Sequence, residues 1–255
     1  MKRSYLPFYF CSDFEKAFDS LDHQLMIRCL KHFNFGDTFI KWVLLFYNNS
    51  TSCTINNGHL SDFFPIERGV RQGCPLSPYL FIVCIELLSF EISNNPSIKG
   101  INYKGHEIKN TLFADDATFI TDGSEKSFTT LIDVLDNFSF ISGLKLNTSK
   151  CSILRAGRLK YSNIKYCTNK NFSWDADNVK ALGIVFSNKT NHNYNNVFTL
   201  NLLPKIDAFC NCLKQWQHRK LSLIGRITVI KYFAFPKLPK LLSLNLSINS
   251  FTKPT

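Results

Sequence analysis

The sequence predicts an α+β fold: mixed strands and helices first, then an appended basic helical segment. Two observations lead there. Short apolar runs bounded by polar or turn residues are interleaved with amphipathic stretches as far as Phe186. Beyond a polar, Asn-rich stretch at 187–199, two segments rich in Lys and Arg carry helical spacing. With 45% hydrophobic and 14% aromatic residues the chain buries a real core, which excludes wholesale disorder. Strands and helices mixed in this way indicate α+β rather than a helical bundle or a sandwich.

Tyr5–Phe14 is apolar and aromatic, and reads as a buried strand ending at Asp13. Ser20 is placed to cap a helix carrying Leu21, Leu25, Cys29 and Phe33. A second helix fits Asp37–Tyr47, with Ile40, Val43, Leu44 and Tyr47 on one face. Asn57-Gly58 between Ser52–Ile55 and Leu60–Phe64 is a hairpin signal. Pro75 and Pro78 open an apolar helix over Tyr79–Ile92, and Lys104-Gly105 marks another hairpin turn. Leu112–Ala114 and Ala117–Ile120 are short strands around Asp115-Asp116. Ser124 starts an amphipathic helix with Phe128, Leu131, Ile132, Leu135 and Phe138, and Gly143 stops it. Strands follow at Leu144–Leu146, Cys151–Leu154 and Ala181–Phe186. Leu202–Trp216 and Leu221–Phe233 are the basic helices, the second ended by Pro236 and Pro239.

The formal charge is +11. Residues 1–136 hold 12 basic and 16 acidic residues, and residues 137–255 hold 18 basic and 3 acidic. Carboxylates gather in one half and cations in the other, a distribution suited to a polyanion beside a metal site. Nine scattered cysteines with no CxxC pair point away from a disulfide scaffold or zinc ribbon, and towards a reducing, intracellular compartment. No apolar run approaches the roughly 20 residues of a membrane span, so no membrane partner is expected. Met1-Lys2-Arg3 before Tyr5–Cys11 has the look of a signal peptide, but Pro7 interrupts it and Asp13 and Glu15 follow at once, so it reads as a strand.

Three places carry chemistry. Asp115-Asp116 sits between two apolar strands, where a plain polar turn is the simpler reading. Asp13, at the end of a buried strand, changes the balance, because a carboxylate there is costly without a partner. If that strand lies beside the 112–120 hairpin, Asp13 and Asp115 share an edge, and divalent cations would relieve their repulsion. Mg²⁺ suits such oxygen ligands, and two ions about 3.5–4 Å apart clamp both oxygens of a phosphoryl displacement. Arg68-Gly69-Val70-Arg71-Gln72-Gly73-Cys74-Pro75 places Arg and Gln at a helix entry, which suits phosphate or base contact, although for a generic Gly/Pro stretch an ordinary loop before a helix is the simpler reading. Lys150 follows a helix stop and a short strand, and by itself is a solvated lysine.

In order, DFEKAFD at 13–19, RQGCPLSP at 71–78, FADD at 113–116, GLKLNTSK at 143–150 and ALGI at 181–184 resemble the palm motifs of reverse transcriptases. The nearest type is the non-LTR, LINE-like retrotransposon enzyme. WQHRKLSLIGRITVIK at 216–231 is similar to the thumb of the same group. The resemblance covers about residues 8–240 and implies a right-hand polymerase palm, an antiparallel sheet packed on helices. The expected layout is palm at 1–20 and 67–186, partial fingers at 21–66, a linker at 187–199 and partial thumb at 200–255.

The resemblance also implies roles. Asp13 and Asp115 would hold two Mg²⁺ ions, for which Mn²⁺ can substitute. Asp116 would act less directly, and Phe14 would offer its backbone carbonyl. Phe18 matches the bulky residue that excludes a ribose 2′-hydroxyl. Gln72 and Gly73 match residues beside the incoming nucleotide and the template base. Lys150 matches the lysine that protonates the pyrophosphate leaving group. Arg71 is expected to contact template or primer. Lys214, Arg219, Lys220, Arg226 and Lys231 are candidates for holding a duplex by its phosphates. Asp19 and Asp22 are expected to be helix-start residues. Template RNA, DNA primer and deoxynucleoside triphosphates are the implied partners, and the nucleus or a cytoplasmic ribonucleoprotein the implied location.

The sequence departs from the family in starting a few residues before the first motif, so an N-terminally truncated domain is expected. It has no room for an endonuclease and no zinc-ligand cluster near its end. The competing readings are an inactive retroelement remnant that only binds nucleic acid, an intron maturase, and a two-metal nuclease. The last would leave RQGCPLSP and Phe18 unexplained.

Overall fold

The computed structural model describes residues 8–114, 116–156, 162–174, 178–181, 184–187 and 199–238. Asp115, Leu182, Gly183 and Pro239 lie outside these residues, as do Met1–Pro7 and most of the expected linker. The chain divides into two compact units, Met1–Leu182 and Gly183–Thr255.

The first unit contains, in order, β1 (Phe8–Asp13), α1 (Ala17–Ser20), α2 (His23–His32), α3 (Asp37–Tyr47), β2 (Thr51–Ser52), β3 (Ile55–Asn56), β4 (His59–Leu60), β5 (Phe64–Pro65) and α4 (Ser77–Asn94). It continues through β6 (Ile101–Tyr103), β7 (His106–Ile108), β8 (Asn110–Phe113), β9 (Asp116–Thr121), α5 (Glu125–Ser142), β10 (Ser152–Arg155) and β11 (Asn178–Ala181).

Its centre is a four-stranded antiparallel sheet in the order β10-β1-β9-β8. Successive strand residues point to opposite faces. Phe8 and Phe10 of β1, Phe119 of β9 and Ile153 of β10 are fully buried. Their face is closed by Phe128 of α5, whose ring meets those of Phe8 and Phe10 at 6.1 Å, and by Phe172, 5.2 Å from Phe10. Truncating such a phenylalanine costs about 3–5 kcal/mol. Asp13 and Asp116 alternate onto the other face. Helix α4 packs against α2, α5 and β8. Its C-terminal end is fastened by buried Lys109, whose Nζ donates to the carbonyls of Ser93 (2.9 Å) and Asn95 (2.8 Å).

Several boundaries follow local chemistry. Ser124 Oγ caps α5 by accepting from Ser127 N, and Gly143 ends it in the left-handed conformation. The β3–β4 and β6–β7 hairpins turn at Asn57-Gly58 and Lys104-Gly105. Other expectations need correction. Ser20 does not start the long helix. It ends the short α1, and Asp22 caps α2 by accepting from Leu25 N at 2.9 Å. A carboxylate at that position also faces the positive helix end, which a serine hydroxyl does not exploit. Leu44 is 42% exposed, away from the buried face of Ile40, Val43 and Tyr47. Leu144–Leu146 is not a strand. It contributes one bridge, Leu146 to Phe14, because the chain has only just left the Gly143 turn and turns again at Asn147. Ala181–Phe186 is not one continuous strand but falls in two, β11 and β12 (Ile184–Ser187).

The second unit contains β12, α6 (Leu203–Gln217) and α7 (Leu223–Val229). The expected Leu221–Phe233 helix starts later, at a Ser222 cap, and widens into a π-helical turn over Ile230–Ala234. Pro236 then sits in a closing 3₁₀ turn, Phe235–Lys237. A proline lacks the N–H that would continue the ladder. No helix among the described residues is long and apolar enough to cross a membrane.

Candidate active site

Strand register brings two carboxylates together. Asp13, the last residue of β1, lies directly opposite Asp116, the first of β9. Residues so paired have Cβ atoms about 4.5–5.5 Å apart, and like charges there repel. On the other side Phe113 pairs with Asp116, leaving Ala114 and Asp115 between them in the chain. β8 and β9 are therefore joined as a hairpin. Ala114 takes φ 53°, a conformation that costs a non-glycine residue roughly 1–2 kcal/mol.

A cation already meets this edge. Lys150 Nζ lies 2.7 Å from Asp13 Oδ2. Exposed pairs of this kind contribute at most about 1 kcal/mol, so the backbone does the positioning. Asn147 N donates to Asp13 O at 2.9 Å, and Lys150 N donates to Asn147 O at 3.0 Å, closing the turn that carries the lysine. Glu15 N donates to Lys145 O at 2.8 Å. These two cross-links use the groups flanking Phe14, so the pairing does not consume the Phe14 carbonyl.

Phe18 lies in α1, beyond the turn at Glu15–Lys16. Its ring stacks on buried Phe81 of α4, centroids 4.8 Å apart, while its outer part remains half-exposed. Phe18 therefore packs on the core while part of its ring stays accessible. Phe18, Arg71, Gln72, Gly73, Cys74, Pro75, Ser77 and Pro78 line a cavity of about 450 Å³. The loop is seated on α1 by Gly69 N donating to Leu21 O (2.7 Å) and Val70 N donating to Phe18 O (2.6 Å). Gln72 Nε2 donates to Asp19 Oδ1 at 3.0 Å. Asp19 is thus more than a helix-start residue, because it holds the glutamine. Arg71 Nη2 donates to Phe46 O (3.1 Å) and Ser50 Oγ (3.2 Å), tying the loop to the end of α3. Cys74 precedes α4. The Leu76 backbone amide lowers its thiol below the ordinary range, against a small opposing effect of burial.

A second cavity, of about 620 Å³, adjoins Asp13. Phe14, Glu15, Lys16, Asp19, Ser20, Arg68, Gly143, Lys145, Asn147 and Lys150 line it. Four cations against two carboxylates leave it positive. Sequence reasoning did not single out Lys16, Lys145 or Asn147, and it named Arg68 only as part of the loop before α4. Each lies in or beside a motif already quoted, so cationic flanks of those motifs were the available signal.

The five remaining candidates lie in the second unit. Lys214, Arg219 and Arg226 line one cavity there, Lys220 is exposed, and Lys231 Nζ lies 5.7 Å from the Tyr232 ring centroid.

An antiparallel sheet backed by helices, with opposed carboxylates on its open face and a glycine-rich loop beside them, defines a polymerase palm. The chain belongs to the reverse transcriptase (RNA-dependent DNA polymerase) family, which it matches over residues 3–186. Its relatives include non-LTR retrotransposon proteins. It is 28% identical over 240 residues to the transposon TX1 uncharacterized 149 kDa protein of Xenopus laevis, covering 90% of this chain and 17% of that protein. It is 34% identical over 140 residues to the Pol polyprotein of the type-2 retrotransposable element R2DM of Drosophila melanogaster, covering 54% of this chain and 13% of that protein. The chain thus spans less than a fifth of the length of these relatives. Among solved structures, apo telomerase from Candida tropicalis matches with a TM-score of 0.53 at 13% identity, over 73% of this chain and 32% of that one. Telomerase from the same organism in complex with the TWJ fragment of telomeric RNA matches with a TM-score of 0.51 at 12% identity, over 99% of this chain and 41% of that one. At such identities the likeness shows the shared fold.

Proposed function

We propose that the chain catalyses RNA-directed DNA synthesis, adding deoxynucleotides to the 3′-hydroxyl of a primer on an RNA template. The register that sets Asp13 against Asp116, with Lys150 on Asp13, carries this reading. The opposed carboxylates fit divalent cations by donor chemistry, and the ammonium on Asp13 marks a place where positive charge is held. Asp13 and Asp116, with Asp115 beside it in sequence and the Phe14 carbonyl, would hold two Mg²⁺ or Mn²⁺ ions. Bound there, the ions supply activation of the primer oxygen and neutralisation of phosphate charge.

The chain's own residues do the rest. Phe18, its ring braced by Phe81, would exclude a ribose 2′-hydroxyl. Gln72 and Gly73 border the same cavity and would meet the base pair being formed. Arg71, fixed to Phe46 and Ser50, would hold its loop against the template. Lys16, Arg68 and Lys145 would draw the triphosphate into the cationic cavity, as preorganised charge does in phosphoryl transfer. Lys150 carries a proton at Nζ beside Asp13 and would give it to the leaving pyrophosphate oxygen. The basic second unit would grip the nucleic acid by its phosphates.

Mn²⁺ titration followed by electron paramagnetic resonance tests the metal site without requiring turnover. Two bound ions per chain, both lost in Asp13→Asn, are expected. Equal Mn²⁺ binding by parent and variant contradicts the assignment and favours a remnant that binds nucleic acid alone.

A further inference from the structure

The second unit holds a cavity of about 510 Å³ to which the polymerase reading gives phosphate contacts and nothing more specific. Its walls come from the end of α6 and from α7 with the turn after it. Leu213, Leu221, Val229 and Ile230 make the floor. Trp216 stands at the side, held by Phe233 at 5.4 Å between ring centroids. The Arg219 guanidinium lies 4.6 Å from the Trp216 centroid, so a ring and a planar cation form one stacked surface. Arg226 is held at the rim by Nε donating to Leu221 O at 3.2 Å. Lys214 completes the lining.

Charge narrows the class of ligand. None of the ion pairs seen among the described residues involves Lys214, Arg219 or Arg226. Asp207 is the single acidic residue in 183–255. A helical duplex keeps its bases stacked inside and offers only phosphates to such a place. An unpaired nucleotide offers both a planar base and a charged backbone, which match the stacked surface and the three cations. The volume falls in the range of about 300–1,000 Å³ usual for small-ligand sites.

We propose that this cavity binds one unpaired nucleotide of a single-stranded nucleic acid, with the base against Trp216 and Arg219 and the flanking phosphates on Lys214 and Arg226. The proposal rests on the nucleic-acid-binding part of the reading above and gives it a defined partner: a single strand.

Trp216 is its own probe. In a Trp42→Phe background of the full chain, a uridine octamer is titrated without metal or nucleotide, and tryptophan emission is followed. Saturable quenching is expected. Arg219→Gln and Arg226→Gln should each weaken binding about tenfold and lower the salt slope by about one. Arg219→Lys keeps the charge but loses the planar stack, and should remain several-fold weaker than the parent. Asp13→Asn/Asp116→Asn should bind as the parent does, which separates this site from failure of the palm assignment. Absence of quenching overturns the proposal. So does an Arg219→Lys variant equal to the parent, or a blunt duplex that binds as tightly and responds to the same substitutions. Unchanged circular dichroism and urea midpoint confirm that each variant is folded.

Discussion

Two glycines separate backbone conformation from backbone contact in the loop beside Phe18. Gly69 has φ 87° and Gly73 has φ 83°. A methyl group on Gly69 would lie 2.7 Å from Asp19 O, with the Asp19 Cα and carbonyl carbon at 2.8 and 2.9 Å. A methyl group on Gly73 would meet nothing within 4 Å. Left-handed backbone costs a non-glycine residue about 1–2 kcal/mol. Forcing a methyl group into backbone costs about 1–3 kcal/mol more. Gly73→Ala should therefore lose about 1–2 kcal/mol and Gly69→Ala about 2–5 kcal/mol. With a urea dependence of about 1–3 kcal/mol/M, the Gly69→Ala midpoint should fall by about 1 M or more. Urea unfolding followed by tryptophan emission measures both. The clash must also push the loop off α1, where Gly69 N and Val70 N donate to Leu21 O and Phe18 O. Gly69→Ala should consequently raise the nucleotide KM, while Gly73→Ala should leave the α1 contacts in place. Equal midpoints for the two variants would refute the reasoning.

Phe18→Val should relax exclusion of ribonucleotides by about 10–100-fold, read as the ratio of kcat/KM for deoxy- and ribonucleotides, since shape-based rejection of a small group has that size. An unchanged ratio would reduce Phe18 to packing on Phe81. Cys74, whose thiol the Leu76 amide lowers, should alkylate with iodoacetamide at pH 7.5 faster than exposed Cys210, as peptide mapping would read, and bound deoxynucleotide should protect it. Equal rates at the two cysteines would contradict the helix-start effect. Burial raises the phenols of Tyr9 and Tyr166, Tyr166 also being raised by Glu125 and Asp122. A raised acid favours its neutral form in the folded chain. That stability is complete below the ordinary tyrosine value of about 10 and is lost as pH climbs through the higher folded values. Urea midpoints should fall between pH 9 and 11, and less steeply in Tyr166→Phe.

How much was legible in the sequence depended on how local the cause was. Ser124, Gly143, Asn57-Gly58 and Lys104-Gly105 act within a few residues, and the structure places their caps and turns as expected. The Asp13 edge also followed from a strand end beside an Asp-Asp turn. Its register did not: Asp116 stands opposite Asp13 because side-chain alternation and pairing across more than 100 residues decide it. Ser20 and Asp22 were equally plausible caps by type, and only the break after α1 distinguishes them. By its own surroundings in the sequence Lys150 read as a solvated lysine, and only the motif match gave it a role; the Asn147 turn sets it on Asp13. The cationic cavity was hidden for the same reason, since Lys16, Arg68 and Lys145 come from three separate stretches. The π-helical turn after α7 has no sequence signal that we can name.

The central proposal is that the palm edge where Asp13 faces Asp116 makes DNA on an RNA template. Primer extension on an oligo(dT)-primed RNA with Mg²⁺ or Mn²⁺ tests it most directly. The account predicts extension by the parent, and none by Asp13→Asn or by Asp115→Asn/Asp116→Asn. Extension that survives these substitutions would contradict it, as would a folded, metal-binding, nucleic-acid-binding parent that adds no nucleotide.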